Sequence, residues 1–420
     1  MFFFMEYIHL LRINKKNKSN DYAYNFKNNI SFLNNYLLLI LVLIMNYFIS
    51  IKIIYSFKNF QVRKNQNIND ILRKCNEYII ISKNRKMINR IPYTHQNQKT
   101  KISAIIITYN SEKLISKALS SVQNQRMTDI EILIIDDNSL DNSFKIIEKY
   151  RYNDKRIKII RNKKNKGALY SRSIGVFNSK SKYVIHLDSD DLFINDNLFN
   201  LCYEEVKNNN LDILEFSGFH IKKPILRLNN ILPKIPLYLR YKTNNLTLKQ
   251  PQLFDFLFQK KGSKIIRRND GFLWGKCIKT NTYIQALNIL GKKIYSQFHN
   301  YGEDRIVNFV LFKYANSFKF IEEYGIAYLY NPFSICNSQV KELITHDELI
   351  NIMSIYNFTK NSTNLNIVVY ELKHRWKNII KPGLNEYNIN ITKYIINLLL
   401  ESKYLNKYNK KKLKEYLEEI

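Results

Sequence analysis

Short apolar runs, typical of buried strands, alternate with amphipathic stretches along residues 101–188. The runs are ISAIIIT, IEILII, IKII and YVIHL, and they begin at Ile102, Ile130, Ile157 and Tyr183. Between them the pattern predicts helices over residues 112–124, from Ser143 with Asp141 as the N-cap, and from about Ala168. Because strands that alternate with helices are joined by right-handed crossovers, we predict a largely parallel sheet that helices cover on both faces.

The pattern is less regular beyond residue 219, where prolines interrupt the chain and helical periodicity returns near Asn281 and Arg305. Such irregularity suits the half of an enzyme that faces its substrate. The predicted organisation is a short basic tail (1–27), a transmembrane anchor (28–51), a stem or linker (52–98), a half in which strands and helices alternate (99–218), an irregular half (219–335) and a helical C-terminal region (336–420).

The anchor prediction rests on residues 28–51, which carry no charge and have a Leu-rich centre. As a helix this stretch is long enough to cross a bilayer core of ~30 Å. Its asparagines, Asn34, Asn35 and Asn46, favour the alternative of a buried core helix. The anchor reading predicts a single-pass membrane protein.

The net charge of +31, from 66 Lys and Arg against 35 Asp and Glu, leaves several partners open. A nucleic acid, an anionic membrane surface and an acidic substrate are each favoured by a positive field. The basic residues are scattered among Asn and Ile, as compositional drift produces, and not concentrated in one arm. We therefore expect no nucleic-acid partner. No GxGxxG or GxxxxGK[ST] motif occurs, so the usual dinucleotide and P-loop signatures are excluded.

Polar residues follow three of the predicted strands. They are Thr108 and Tyr109 after the first, Asp136 and Asp137 after the second, and Asp188, Asp190 and Asp191 after the last. In open parallel sheets ligands bind at this carboxyl edge, near a reversal of strand order, so these groups should converge on one crevice.

Each of these groups has a plausible chemical task. An aromatic ring such as Tyr109 can stack on a base, and the carboxylate of Asp137 can accept a hydrogen bond from a base or ribose. A short DxD run suits Mn²⁺ or Mg²⁺, which takes one or two protein carboxylates and fills its shell with phosphate and water. The alternative is that acids after strands form turns and helix caps. His186 is expected to pack inside its strand.

Four segments in order carry a resemblance to a known family: IIITYNSEKLISKALSSVQNQ, IEILIIDDNSLDNS, NKGALYSRSIG and YVIHLDSDD. Together they resemble the nucleotide-sugar half of glycosyltransferase family 2, in its bacterial-like, non-processive members with the GT-A fold. The resemblance covers residues 101–219. It implies an α/β fold with a Rossmann-like nucleotide-binding sheet and an irregular α+β acceptor half.

The resemblance also implies roles for single residues. Thr108, Tyr109 and Asp137 would bind the nucleobase side, Gly167 and Arg172 would lie near the diphosphate, Asp188 near the ribose, Asp190 on the metal and Asp191 beside it. Further along, WGKCIKTNTY and YGEDR resemble two acceptor-half motifs. They would place Trp274 and Glu303 on the acceptor side and make Asp304 the general base. Gly275 departs from the usual Asn, and Trp376 after Arg375 is expected to be structural.

The function that the resemblance implies is an inverting, metal-dependent glycosyltransferase, hexosyltransferase-like. It would move a sugar from a nucleotide sugar, with a UDP-sugar expected, to a hydroxyl of a glycan, lipid or protein. We expect it in a membrane of the Golgi or endoplasmic reticulum. The alternative is a catalytically weak membrane protein of the same fold that binds glycans or nucleotides.

Overall fold

The computed structural model describes residues 100–221, 235–236, 247–250, 252–261, 264–267, 272–296, 298–329, 331 and 341–420. All of them belong to one unit, Arg73–Ile420. The strands are β1 Ile102–Thr108, β2 Ile130–Asp136, β3 Ile157–Arg161, β4 Tyr183–Asp188, β5 Leu192–Phe193, β6 Ile213–Ile221, β7 Ile235–Pro236, β8 Thr247–Lys249, β9 Phe258–Lys261, β10 Lys264–Arg267, β11 Lys276–Lys279 and β12 Ser317–Leu329. The α-helices are α1 Ile115–Gln123, α2 Ser143–Asn153, α3 Ala168–Asn178, α4 Leu198–Asn208, α5 Gln252–Leu257, α6 Thr280–Leu290, α7 Lys292–Tyr295, α8 Glu303–Tyr314, α9 Lys341–Thr359, α10 Asn366–Arg375, α11 Glu386–Glu401 and α12 Lys407–Glu418.

The four predicted strands form the parallel part of the sheet, in the order β3-β2-β1-β4. Every residue of β2 is buried, as expected for a strand that helices cover on both faces. The order reverses at β1, which pairs with β2 on one side and with β4 on the other. This reversal opens the crevice in which ligands bind in such sheets.

The second half of the sheet is mixed, so the prediction of a largely parallel sheet holds only for β1 to β4. Strand β11 runs antiparallel to both β4 and β6, whereas β6 and β12 are parallel. The predicted boundary at residues 218 and 219 falls inside β6, and strands from both predicted halves share this one sheet. The irregular pattern of the second half hid these strands, because they are short or interrupted by register shifts.

Helices α9 to α12 follow the last strand. Trp376, in a π-helical turn after α10, is 1% exposed and stacks on Tyr416 of α12 with 4.3 Å between ring centroids. Its indole N–H donates to Glu419 at 2.8 Å. The expectation that Trp376 is structural is therefore confirmed, and the amphipathic tail packs through the same contacts.

The predicted basic tail, anchor and stem, residues 1–98, lie outside the described residues. Of the helices that the structure does describe, none combines the length and the apolar character that crossing a membrane requires.

Candidate active site

The carboxyl ends of β1, β2 and β4 bring the predicted polar residues to one edge. Thr108 is in register with Asp136, and Ile107 with Asp188. Thr108 accepts a hydrogen bond at its carbonyl from the Asp137 N–H, at 2.8 Å. The Thr108 hydroxyl is buried and has no hydrogen-bond partner within the described part of the chain. Tyr109 follows it, half-buried, so the convergence expected from the strand ends is present.

Asp137 fixes the loop that leads into α3. Its carboxylate accepts from the side chain of Asn162 at 2.7 Å, from the Lys166 N–H at 2.8 Å and from the Gly167 N–H at 2.7 Å. Burial raises the pKa of Asp137, and these hydrogen bonds oppose that rise. Both oxygens are thus engaged within the protein, so a contact between Asp137 and a nucleobase stays a prediction.

At Gly167 this loop passes close to the segment before α8. Its φ is +90°, and a Cβ there would lie 2.8 Å from Asn300 Oδ1 and 2.9 Å from the His299 nitrogen. Only glycine combines this backbone conformation with this contact. The Asn300 side chain in turn accepts from the Ala168 N–H at 2.8 Å, at the first residue of α3.

Arg172, one turn into α3, lies among three carboxylates. Its guanidinium pairs with Asp188 at 2.7 Å, with Asp304 at 3.0 Å and with Glu303. The arginine side chain is 7% exposed. Although burial opposes the charge, the three acids hold the pKa of Arg172 well above its usual range. Arg172 therefore ties the predicted donor side to the predicted base, and its contact with a diphosphate stays a prediction.

Replacing Arg172 with methionine should destabilise the protein by about 3–5 kcal/mol, because three acids would lose their buried counter-charge. The loss should be smaller at about pH 5 than at about pH 8, since protonation relieves unpaired buried carboxylates. Urea unfolding at the two pH values measures it. Arg126→Met is the control: this arginine is exposed and pairs with Asp196 at the surface, so its loss should cost less than about 1 kcal/mol. Equal effects from the two variants would contradict the structural role of Arg172.

Asp304 has the environment that a general base requires. It lies in the first turn of α8, accepts from the Leu273 N–H at 3.1 Å and is 14% exposed. Burial raises its pKa to about 7; Arg172 opposes the rise, and Glu303 and Asp188 add to it. A carboxylate with a pKa near neutrality is poised to accept a proton at physiological pH. Glu303 is more buried, and burial raises its pKa as well.

The three acids after β4 differ in their surroundings. Asp188 is 27% exposed and faces Arg172, whereas Asp190 is half-buried and accepts from the Asn331 side chain at 2.9 Å. Asp191 is 1% exposed and accepts from the Leu329 N–H of β12 at 2.9 Å. One oxygen of the Asp191 carboxylate therefore attaches the loop to the sheet, and the other is buried with no hydrogen-bond partner among the described residues.

The residues present fit a divalent cation at Asp190. Burial and the nearby Asp188 both raise the pKa of Asp190, so a cation would balance uncompensated negative charge there. Within the described ranges, no group of three or more His, Cys, Asp or Glu side chains is arranged to hold a metal. Magnesium and manganese need only one or two protein carboxylates when a phosphate completes their shell. Asp190 with Asp188 meets that requirement and is more exposed than Asp191.

Aromatic residues flank Leu273, whose N–H donates to Asp304. Trp274 is 7% exposed and stacks between Phe272, at 4.7 Å, and Tyr328, at 5.7 Å between centroids. Leu273, between Phe272 and Trp274, donates its N–H to Asp304, so the predicted acceptor-side tryptophan directly follows a residue that contacts Asp304.

The expectation for His186 is confirmed. It is 2% exposed, packs edge-on against Tyr283 at 5.4 Å between centroids, and has a pKa that burial lowers to about 3. Sequence reasoning missed three asparagines that hold the site, namely Asn162, Asn300 and Asn331. Asn162 directly follows β3, so the rule that polar residues at strand ends form the site could have identified it. The other two sit in an Asn-rich chain, where an asparagine carries no local signal.

Comparison with known proteins supports the family. The model for glycosyl transferase family 2 matches residues 103–269. An uncharacterized glycosyltransferase of Bacillus subtilis, EpsJ, is 26% identical over 234 residues, which are 56% of this chain and 62% of that protein. The UDP-Glc:alpha-D-GlcNAc-diphosphoundecaprenol beta-1,3-glucosyltransferase WfgD of Escherichia coli is 29% identical over 197 residues, which are 44% of this chain and 73% of that protein. The match to the first of these relatives thus spans less than two thirds of its length.

Among solved structures, the crystal structure of S. aureus TarS 1-349 in complex with UDP-GlcNAc resembles the chain with a TM-score of 0.52. The similarity covers 71% of this chain and 82% of the TarS chain at 18% sequence identity, so it establishes a shared fold. The order of strands, the motifs at their ends and the family match agree. The chain therefore carries a family 2 glycosyltransferase domain, which the family model places at residues 103–269.

Proposed function

We propose that this protein transfers a sugar from a nucleotide sugar to a hydroxyl acceptor with inversion at the anomeric carbon. The observation that carries the proposal is the cluster of Arg172, Asp188, Glu303 and Asp304 at the edge where the paired strands β1 and β4 end. It joins a buried base of raised pKa to the strand ends where a nucleotide binds in such sheets.

In the proposed step, Asp304 removes the proton of the acceptor hydroxyl. The acceptor oxygen forms a bond to the sugar C1 as the bond from C1 to the diphosphate oxygen breaks, and the nucleoside diphosphate leaves. The proton stays on Asp304. Attack from the face opposite the leaving group inverts the anomeric carbon. The hydrogen bond from the Leu273 N–H and the charge of Arg172 orient the carboxylate for this transfer.

We assign binding of the nucleotide sugar to the residues at the strand ends. Tyr109 would stack on the base, the buried Thr108 hydroxyl would find its partner on the nucleotide, and the turn at Gly167 would approach the diphosphate. A UDP-sugar is favoured because the E. coli relative is named for UDP-Glc and the TarS crystal structure contains UDP-GlcNAc. The diphosphoundecaprenol in the name of that relative also favours a lipid-linked glycan acceptor.

Mn²⁺ or Mg²⁺ would bind at Asp190, with Asp188 adjacent. When bound, the ion supplies positive charge to the departing diphosphate. A membrane location, in the Golgi or endoplasmic reticulum, remains a prediction based on residues 28–51.

Incubation with a panel of nucleotide sugars and Mn²⁺ should release free nucleotide from a UDP-sugar. Even without the true acceptor, slow transfer to water gives a measurable signal, and EDTA should remove it. Luminescent detection of UDP, GDP and CMP compares the donors in one format. Binding of UDP without any turnover, with every acceptor class supplied, would favour the alternative of a catalytically weak binding protein.

A further inference from the structure

Helix α9 contacts the segment that carries the proposed base. We call residues 299–305 the acid-bearing segment, because it includes Glu303 and Asp304. Asp347 accepts from the Asn300 N–H at 3.2 Å, and the Asn351 side chain donates to the Tyr301 carbonyl at 3.2 Å. Asp347 and Asn351 are one helical turn apart and at most 2% exposed. One face of α9 thus binds the backbone of the segment just before α8.

The same helix binds the residue that follows Asp304. The guanidinium of Arg305 pairs with Glu348 of α9 and lies 4.0 Å from Glu371 of α10. Arg375 contacts the same two acids, at 3.7 Å and 4.0 Å. Two arginines and two glutamates therefore form a buried network between α8, α9 and α10, in which Glu348 is 1% exposed.

Helix α9 is also linked, through Asn300, to the helix that carries Arg172. Asn300, whose N–H donates to Asp347, accepts at its side chain from the first N–H of α3, and α3 carries Arg172. Arg172 and Asp304 form an ion pair, so their supporting elements meet at the acid-bearing segment. At Gly302, φ is +67° and a Cβ would lie 2.2 Å from the Arg305 guanidinium, so the arginine folds back over the turn.

We infer that Asp347, Glu348 and Asn351 of α9 are positioning residues for sugar transfer, which hold Asp304 at its distance from Arg172. This inference rests on the proposed function. It assigns a task to the helical C-terminal region, whose sequence gives no chemical signal. The region would act on the reaction without touching a substrate.

The burial of the charges in this network indicates a positioning role. A buried ion-pair network is often no more stabilising than well-packed apolar residues, because desolvation of the charges offsets their attraction. Its best-attested benefit is a defined register between elements. A base requires such definition, since a displacement of about 1 Å can lower the rate by about 10²-fold.

The test is Glu348→Gln in the full chain, with Glu342→Gln as its matched control on the exposed face of the same helix. We expect kcat for nucleotide-sugar turnover to fall by about 10- to 100-fold. The donor KM should stay within about twofold, because the described partners of Glu348 are Arg305 and Arg375, neither of which is assigned to the donor. Backbone amides of residues 299–305 should exchange with deuterium about tenfold faster. Glu342→Gln should change none of these values.

Asn351→Ala is the second variant in case Glu348→Gln does not fold, since it removes one hydrogen bond and no charge. Like Glu348→Gln, it should speed amide exchange in the acid-bearing segment and lower kcat. Unchanged exchange there, in variants that fold, would overturn the inference whether or not the protein transfers sugar. Faster exchange with wild-type kcat would also overturn it, because the contact would then be structural only. If the wild-type protein shows no turnover with any donor, the proposed function fails, and the exchange result still decides whether α9 holds the segment.

Discussion

Asp304→Asn should lower turnover of the nucleotide sugar by about 10²- to 10⁴-fold, the usual contribution of a general base. The amide has nearly the shape of the carboxylate and can still accept from the Leu273 N–H, so the fold should persist. Binding of UDP should be nearly unchanged, because the donor contacts are assigned to the strand ends. Steady-state kinetics together with calorimetric titration of UDP separate the two effects.

Two variants serve as controls for this result. Asp129→Asn changes an exposed acid that pairs with Lys101 at the surface and should leave kcat unchanged. Glu303→Gln changes the acid next to Asp304 in the same cluster. Full activity in Asp304→Asn combined with a loss of activity in Glu303→Gln would move the base to Glu303.

The pH dependence of the wild-type protein gives an independent measure of the same assignment. Since burial raises the pKa of Asp304 to about 7, kcat should rise with pH through that value as the carboxylate loses its proton. Stability should change in the opposite direction. A group whose folded-state pKa is raised binds its proton more tightly in the folded state. Asp304 therefore stabilises the folded protein below about pH 4, and this stabilisation is lost as the pH rises to about 7. The inflection in kcat should be absent from the residual activity of Asp304→Asn.

Asp190→Ala should lower metal-dependent turnover by at least about 10²-fold, because the ion contributes several kcal/mol to the stabilisation of the leaving group. The midpoint of thermal unfolding should change little, since Asp190 is half-buried and accepts from the neutral side chain of Asn331. Titration of Mn²⁺ in the presence of UDP, followed by the paramagnetic signal of free Mn²⁺, measures the metal affinity directly. That measurement does not depend on turnover.

Asp191→Asn is the matched comparison, one residue away. Its carboxylate is buried against the Leu329 N–H, so this variant should alter stability and leave Mn²⁺ affinity within a few-fold of wild type. The opposite result, with metal affinity lost in Asp191→Asn and kept in Asp190→Ala, would reassign the cation to Asp191.

The local pattern of the sequence determined the first half of the fold. The runs from Ile102, Ile130, Ile157 and Tyr183 are apolar almost throughout, and each became a parallel strand within a residue or two of its predicted limits. Such runs are informative because a strand that helices cover on both faces can contain few polar side chains. The positions of Thr108, Asp137 and Asp188 followed from the same rule, since the ends of parallel strands share one edge.

Only the tertiary structure decided what those polar groups contact. The sequence predicts Arg172 beside a diphosphate, and the structure adds that it pairs with Glu303, which is 131 residues away in the chain. The sequence predicts Asp137 at a nucleobase, and the structure adds that its carboxylate accepts from the Gly167 N–H. Periodicity and motif spacing report local conformation and which face is buried. They carry no information about which distant side chain supplies the counter-charge, because that depends on how separate elements pack.

The sequence by itself thus determined the strand and helix order of residues 101–188 and the edge of the sheet at which the polar strand-end residues meet. The tertiary structure decided that Asp304 is a buried acid whose pKa is raised to about 7, that Asp190 and Asp191 have different surroundings, and that α9 contacts residues 299–305. The physical reason is the same in each case. A pKa and a position are set by burial and by neighbouring charges, and those neighbours come from elements that lie far apart in the chain.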